Sequence, residues 1–293
     1  MITKSSLKGV LGFFIVILIG IGLALAGSLH GASALGVPIF ALAVGLIFSI
    51  QWLVFIPAFA MQTEKFFDIT GALTYISVTL ITVLLSPSVD TRVILLLIMV
   101  TIWAARLGIF LLRRVHQTGK DDRFDDIKAN FLRFLTTWTL QGLWVSFTLA
   151  AALAVITSTT RKQLDFFAII GILIWMIGFG IEVIADAQKD RFRKDQANKG
   201  QFIRSGLWSR SRHPNYFGEI ILWIGVAVVA LPILKGWQWV TLISPIFVTL
   251  LLTRISGVPL LEKKADQKWG GQEEYEKYKK ETPVLIPRFF NKS

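Results

Sequence analysis

Apolar residues along this chain occur in long runs that are separated by shorter polar segments. Eight runs are long enough, at about 20 residues each, to cross a bilayer as an α-helix. Their predicted bounds are 9–29, 36–60, 66–86, 92–112, 131–157, 165–186, 217–234 and 238–257. The alternating pattern of a membrane β-barrel is absent from the sequence. The pattern therefore predicts an all-α protein, a polytopic membrane bundle of seven or eight transmembrane helices.

Composition and chain organisation agree with this prediction. Hydrophobic residues make up 54% of the 293 positions, and the mean hydropathy is +0.61. The first run is longer than the apolar core of a signal peptide, about 7–15 residues, and more runs follow it, so we interpret it as a helix. Internal repeats and linkers rich in Pro, Gly and Ser are missing. We therefore predict a single integral membrane domain over residues 1–293.

The distribution of positive charge predicts the orientation in the membrane. The net charge is +12, and eight spans with an internal N-terminus place 25 of the 31 lysines and arginines on one side. Cytoplasmic segments of membrane proteins carry such an excess, which predicts that both termini are cytoplasmic, and we expect a bacterial inner membrane. The basic loops would then contact membrane lipids. We expect no nucleic-acid partner, because no soluble domain carries a basic patch interleaved with aromatics.

Residue usage excludes several kinds of chemistry. The chain has no cysteine, which removes thiol nucleophiles and cysteine metal ligands, and its histidines (His30, His116 and His213) are far apart in sequence. We therefore predict no metal site. Rossmann, P-loop and HExxH motifs are also missing, so any nucleotide must bind without those units.

Ionisable residues at membrane depth gather in the predicted cytoplasmic halves of their spans. Each charge inside a bilayer costs at least about 2.5–3.5 kcal/mol, so each requires a reason. The set comprises Glu64, Asp68, Arg106, Glu182, Asp186, Glu219 and Arg254. One interpretation is that acids and bases pair to hold the bundle together. Their collection on one side favours the other, a polar pocket that opens to the cytosol and suits a polar cofactor meeting a lipophilic substrate.

The segment SRSRHPNYFGE, residues 209–219, begins the seventh run and has groups suited to a phosphate. Pro214 fits the first position of a helix, whose free N–H groups and dipole attract anions. Arg210, Arg212 and His213 add cationic donors, and neighbouring loops supply a second set, namely Arg113, Arg114 and Arg193. A lipid headgroup site is the alternative interpretation of the same residues.

The stretches SRHPNYFGEIILWIG, EVIADAQKDRFR, TGKDDRFD, LQGLW and YKKETPVLIPRFF resemble the steroid 5-alpha-reductase family, in its bacterial and plant branch. The wider superfamily also holds sterol reductases and isoprenylcysteine-type methyltransferases. The resemblance covers roughly residues 62–290. It implies a reductase-like core over about 36–290, to which the helix at 9–29 is additional.

The resemblance implies NADPH as the cofactor, bound in a cavity that cytosolic loops cap, and assigns its ligands. The family's Asn-x-x-Gly-Glu motif matches Asn215 and Glu219, and its Asp and Arg seven apart match Asp186 and Arg193. Further ligands are expected among neighbouring residues, namely Arg106, Arg113, Arg114, Glu182, Arg212, His213 and Tyr216.

The catalytic pair implied by the resemblance transfers less directly. Family members hold the substrate carbonyl with a glutamate and a tyrosine. The glutamate position falls on Asp68, with Glu64 as a second candidate, and the tyrosine position falls near Trp103. Indole is a hydrogen-bond donor but a far weaker acid than a phenol. Tyr75, seven residues beyond Asp68 on the same helix face, is therefore our candidate for the hydroxyl donor.

The sequence favours an NADPH-dependent membrane reductase that transfers hydride to the C=C bond of a lipophilic enone, such as a 3-oxo-Δ4 steroid, and we expect it to be a monomer. The first alternative is an S-adenosylmethionine-dependent lipid or isoprenoid methyltransferase, since RHPxYxG occurs in both branches. Glu219 directly after the glycine, and the EVIAD stretch, favour the reductases. The second alternative is a non-enzymatic lipid-binding or transport protein, which the lack of paired repeats and broken helices disfavours.

Overall fold

The computed structural model describes residues 4–118 and 124–288, and most of this part of the chain is helical. Seven helices in these ranges are long and apolar enough to cross a membrane. They span Gly9–Ser28, Ile39–Ala60, Phe67–Leu85, Thr91–Leu112, Phe131–Thr157, Phe166–Lys194 and Gly236–Trp269. The prediction of a polytopic membrane helical bundle is confirmed, and the chain is an integral membrane protein.

The α-helices, in chain order, are α1 (Lys4–Ser28), α2 (Ile39–Ala60), α3 (Phe67–Leu85), α4 (Thr91–Thr118), α5 (Asp125–Lys128), α6 (Phe131–Thr157), α7 (Phe166–Lys194), α8 (Pro214–Ala230), α9 (Ile243–Leu250), α10 (Val258–Trp269) and α11 (Glu273–Glu281). Two short antiparallel strands, β1 (Ser33–Ala34) and β2 (Val37–Pro38), lie between α1 and α2.

The last two predicted spans differ from the observed helices. The run predicted at 217–234 is α8, an apolar helix of 17 residues that is shorter than the seven long ones. The run predicted at 238–257 is a composite in which a 3₁₀ stretch, Gly236–Leu242, leads into α9 and a π-helical turn, Leu251–Ile255. Pro214 is the first residue of α8, as predicted, because a missing N–H costs nothing there.

The chain divides into two compact units, which we describe separately. Unit 1 comprises Met1–Ala168 and Val229–Ser244, and unit 2 comprises Ile169–Val228 and Pro245–Ser293. In unit 1, α6 is the most buried helix and packs against α1, α2 and α3. Aromatic side chains pack around its first half, where Phe134 and Trp138 contact Phe55 and Phe124. Close packing of large rings in this way excludes lipid and water from the interior of the unit.

Unit 1 also buries one complete guanidinium group. Arg92, at the start of α4, is fully buried, and its Nη1 donates to the carbonyl of Val229 at 2.7 Å. Its Nη2 donates to the carbonyl of Gln163 and lies 2.9 Å from the Asp165 carboxylate. A buried charge is tolerated only where such partners replace water, so this cluster ties α4 to two other segments of the unit.

Unit 2 is built on close contact between α7 and α8. A Cβ atom added at Gly178 would lie 2.4 Å from the backbone nitrogen of Leu222. One added at Gly218 would lie 2.6 Å from the backbone nitrogen of Glu182. Small residues let membrane helices approach to backbone contact, and here the approach places the first turn of α8 beside Glu182.

Candidate functional site

Helix α7 carries a stripe of ionisable residues on one face. The helix remains continuous through Lys194, so Glu182, Asp186, Lys189 and Arg193, at i, i+4, i+7 and i+11, share one face. Glu182 is buried, Asp186 and Lys189 are partly buried, and Arg193 is exposed. The stripe therefore leads from the interior of unit 2 to its surface.

The loop between α7 and α8 is fixed to α7 through Trp208. Its indole Nε1 donates to the carbonyl of Ala185 at 3.0 Å, and the backbone N–H of Leu207 donates to the Gln188 side chain at 2.9 Å. The Lys189 ammonium lies 4.3 Å from the centre of the Trp208 ring. A cation over an indole face is attracted by the ring, so Trp208 also sets the position of Lys189.

Arg212 and His213, predicted as phosphate donors, share one acid that the sequence reasoning did not assign. Glu262 of α10 contacts Arg212 through a charge-assisted hydrogen bond, and its other oxygen lies 2.7 Å from His213 Nε2. The rings of His213 and Tyr216 stack at 5.6 Å. Because Glu262 contacts both side chains, Arg212 and His213 are less available to a phosphate than the sequence suggests.

The C-terminal segment fixes the backbone of the same loop. The Arg212 N–H donates to the Pro283 carbonyl at 2.9 Å, and the Arg288 N–H donates to the Arg210 carbonyl at 3.0 Å. The Ser211 hydroxyl donates to the Leu285 carbonyl at 2.7 Å. Residues 283–288 therefore lie along residues 210–212, and we refer to this C-terminal segment as the strap.

Burial leaves three polar atoms near the start of α8 without a hydrogen-bond partner among the described residues. They are the Nε of Arg212, the Nδ1 of His213 and the Oδ1 of Asn215. Burial lowers the pKa of His213, while the hydrogen bond to Glu262 acts in the opposite direction. A neutral imidazole whose Nε2 donates to Glu262 presents Nδ1 as an acceptor. The site thus offers two buried acceptors, His213 Nδ1 and Asn215 Oδ1, within one turn of chain.

Glu219 and Tyr216 lie in the first turns of α8, one turn apart. Gly257 makes room for Tyr216, since a Cβ atom there would approach the ring to 2.9 Å. Unit 2 therefore contains eight of the predicted cofactor ligands, namely Glu182, Asp186, Arg193, Arg212, His213, Asn215, Tyr216 and Glu219.

The predicted catalytic residues belong to unit 1. Asp68 lies in the first turn of α3, and Tyr75 is buried two turns later, where its ring meets Trp103 edge-on at 5.0 Å. Glu64 is buried and its carboxylate lies 2.9 Å from Lys128 Nζ. Its hydrogen bond raises the pKa of Lys128, as expected for an ion pair. Glu64 is therefore engaged in a structural ion pair with Lys128.

The remaining predicted arginines lie on α4. Arg106 is partly buried in its membrane-spanning part. Arg113 and Arg114 belong to the last turns of α4, and their side chains lie outside the described part of the structure. Groups of three or more histidines or acids that could hold a metal ion do not occur within residues 4–118 and 124–288.

Sequence reasoning missed one residue at the site, Glu262, and assigned no role to another, Lys189. Glu262 stands where the apolar composite span ends, and its spacing to Arg212, 50 positions earlier, carries no local signal. Lys189 was visible as part of the α7 stripe, but only the fold places its ammonium on Trp208. Chemically, the site combines cationic side chains that can bind an anion with neutral acceptors that can bind hydroxyl or amide groups.

The sequence pattern of the family described as Protein of unknown function (DUF1295) matches residues 54–282, most of the chain. The chain belongs to this family. The matched range includes every predicted site residue and leaves α1 and most of α2 outside it.

Curated relatives match shorter stretches. The chain is similar to Steroid 5-alpha-reductase DET2 of Gossypium hirsutum, with 36% identity over 70 residues, 24% of this chain and 25% of the relative. It is also similar to 3-oxo-5-alpha-steroid 4-dehydrogenase 1 of Rattus norvegicus, with 29% identity over 118 residues, 40% of each chain. Its match with Steroid 5-alpha-reductase DET2 of Arabidopsis thaliana has 33% identity over 73 residues, again a quarter of that relative. These matches cover between a quarter and two fifths of the relatives' length. No solved structure gives a significant match to the chain.

Proposed function

We propose that this protein is an NADPH-dependent membrane reductase that saturates the C=C bond of a lipophilic enone, with a 3-oxo-Δ4 steroid as the model substrate. The observation that carries the proposal is the pair of buried acceptors, His213 Nδ1 and Asn215 Oδ1, beside cationic side chains at the start of α8. The names of the relatives, steroid 5-alpha-reductase and 3-oxo-5-alpha-steroid 4-dehydrogenase, support a reductase-type reaction.

The residues of unit 2 fit the polar parts of a dinucleotide. Asn215, Asp186 and Glu219 offer oxygens to ribose hydroxyls and to a carboxamide. Lys189 and Arg193 offer cations to phosphates, since Arg212 and His213 already share Glu262. When bound, NADPH supplies the hydride. The protein's own contribution at this site is to bind and orient the cofactor.

The residues of unit 1 would act on the substrate carbonyl. Saturation of an enone adds hydride to the β-carbon and a proton to the α-carbon, and it is assisted by a donor on the carbonyl oxygen. We propose Asp68 for this role in preference to Glu64, because Glu64 is held by Lys128. A positioned carboxyl group can serve as such a general acid. Tyr75 is the second donor that we propose, held by its contact with Trp103.

The proposal includes a setting in the cell. The excess of positive charge on one side predicts that both termini are cytoplasmic, and a bacterial inner membrane is the expected location. NADPH would then reach unit 2 from the cytosol, and the lipophilic substrate would arrive from the bilayer. We propose a monomer as the working form.

The experiment uses the full chain in lipid nanodiscs, with NADPH and a testosterone-like enone. We expect NADPH oxidation with formation of the saturated product, and loss of NADPH binding in Asp186→Ala. Glu274→Gln is the matched control, because Glu274 is an exposed acid of unit 2 that pairs with Arg204. Failure of the wild type to bind NADPH, together with an unchanged Asp186→Ala, would overturn the proposal. Thermal stabilisation by S-adenosylmethionine in place of NADPH would identify a methyltransferase instead.

A further inference from the structure

Glu262 is the point where two elements of unit 2 meet through side chains. Its two oxygens contact two consecutive residues of the loop before α8, Arg212 Nη1 and, at 2.7 Å, His213 Nε2. The His213 side chain is 5% exposed and that of Arg212 is 12% exposed. A single carboxylate thus orients both groups in a setting with little competing water.

The loop backbone does not need Glu262 for its own position. Residues 210–212 are already held by the strap of residues 283–288 through backbone and Ser211 hydrogen bonds. The α7 side of the loop is held by Trp208 and Gln188. What Glu262 adds is therefore the orientation of two side chains, and in particular the choice of which imidazole nitrogen carries the proton.

The two ring nitrogens of His213 have different surroundings. Nε2 points at the Glu262 carboxylate, which accepts a hydrogen bond from it, while the ring lies against Tyr216 at an interplanar angle of 10°. Nδ1 is buried and has no partner among the described residues. Because a neutral imidazole has one donor and one acceptor, a proton held on Nε2 makes Nδ1 the acceptor.

We propose that Glu262 is a positioning residue: it holds the proton of His213 on Nε2, so that Nδ1 accepts a hydrogen bond from a hydroxyl or amide N–H of the bound nucleotide. This inference rests on the proposed function for the identity of the ligand. Glu262 itself touches neither ligand nor reacting atoms in this assignment, and it acts through His213 and Arg212.

The test compares the full-length wild type with Glu262→Gln, Glu262→Asp and the control Glu274→Gln, all in nanodiscs. Two properties are measured: the dissociation constant for NADPH, and the protonation of His213 by ¹⁵N NMR of histidine-labelled protein, assigned with His213→Asn. The NMR readout does not require the cofactor to bind.

We expect the Nε2–H form of His213 in the wild type and in Glu274→Gln. Glu262→Gln should change the tautomer distribution and raise the dissociation constant for NADPH about tenfold, since one misdirected hydrogen bond in a buried site changes affinity by roughly that factor. Glu262→Asp keeps the charge and should recover much of the binding.

Three results would overturn the proposal: a His213 proton on Nδ1 in the wild type, an unchanged tautomer in Glu262→Gln, or unchanged NADPH affinity in that variant. A wild type that shows the Nε2–H form but binds no NADPH overturns the proposed function, because the orientation of His213 by Glu262 is then present without the ligand assumed for it.

Discussion

Units 1 and 2 treat their buried polar groups in different ways. In unit 1, buried atoms without a partner among the described residues are spread over several helices, on neutral side chains such as Gln51, Trp138 and Gln141 and on the Nε of Arg92. In unit 2, three such atoms fall within residues 212–215, and two of them belong to side chains that can carry charge. Scattered atoms are typical of packing around a membrane core, whereas a cluster on one loop is typical of a binding site.

The hydroxyl groups of α3 show a second difference between the two units. On α3, the hydroxyls of Thr70, Thr79 and Thr82 each donate to the carbonyl four residues earlier, at 2.6–2.7 Å. Such bonds satisfy the side chain without tying it to another element. The loop before α8 instead bonds to α7, α10 and the C-terminal strap. In unit 2, polar contacts from three other elements therefore fix the position of one loop.

The largest effect that we expect comes from the charge buried in unit 1. Arg92→Met should lower the free energy of unfolding by about 3–5 kcal/mol, because it removes a fully buried guanidinium and leaves the Val229 and Gln163 carbonyls without that donor. Thermal unfolding in detergent measures the loss. The dissociation constant for NADPH of the folded fraction should stay at the wild-type value. A variant with wild-type stability would show that the cluster has no structural role.

A smaller loss should follow from crowding the α7–α8 contact in unit 2. Gly178→Ala places a methyl group against the backbone of Leu222 and should cost about 1–3 kcal/mol of stability. Gly180→Ala is the matched control on the same helix, since nothing lies within 4 Å of its added Cβ. That variant should be neutral or more stable, because alanine favours helix over glycine. Equal unfolding temperatures for the two variants would contradict the close approach of the helices.

Substitution of Lys189 tests whether the polar groups of unit 2 bind a ligand. The Lys189 ammonium lies over the ring of Trp208 near the outer end of the α7 stripe, so we expect it to attract a phosphate. Lys189→Met should raise the dissociation constant for NADPH about tenfold, equivalent to about 1.4 kcal/mol, with little loss of stability. Lys194→Met is the control, because Lys194 is an exposed lysine of α7 already paired with Asp190. Similar affinities for the two variants would remove Lys189 from the site.

The smallest effect is a dependence of stability on pH through His213. Burial lowers its pKa below the ordinary value of 6.5, opposed by Glu262 and assisted by the nearby Lys189 and Arg212. The unfolded state therefore binds a proton first as the pH falls, and stability is lost from about pH 6.5 downward to the lower folded pKa. Unfolding temperatures between pH 7.5 and 5 should show a shallower decline in His213→Asn. A steeper decline in that variant would contradict the lowered pKa.

Much of the fold could be predicted because each element has a local cause. Long apolar runs predicted the membrane helices, and Pro214 predicted the start of α8. The run at 217–234 was harder to interpret, since α8 has only 17 residues and the following segment changes from 3₁₀ to α to π geometry. Such changes depend on packing with neighbours, which hydropathy does not record.

The candidate site shows the same division. The α7 stripe and the residues at the start of α8 were predictable, because a helical period of 3.6 places them on one face from the sequence alone. Glu262 was not, since it meets Arg212 and His213 across 50 positions of chain. The pairing of Glu64 with Lys128 was equally invisible, and it changes which acid in unit 1 is the better candidate for catalysis.

The sequence by itself determined that this is a polytopic helical membrane protein, where its helices lie, and which polar segments carry the candidate chemistry. These properties follow from hydropathy and helical period, which act over a few residues. Only the tertiary structure decided that Glu262 binds Arg212 and His213, that Lys189 rests on Trp208, and that the strap of residues 283–288 fixes the loop before α8. Those contacts join residues distant in sequence, and their partners are selected by the close packing of whole helices rather than by any local pattern.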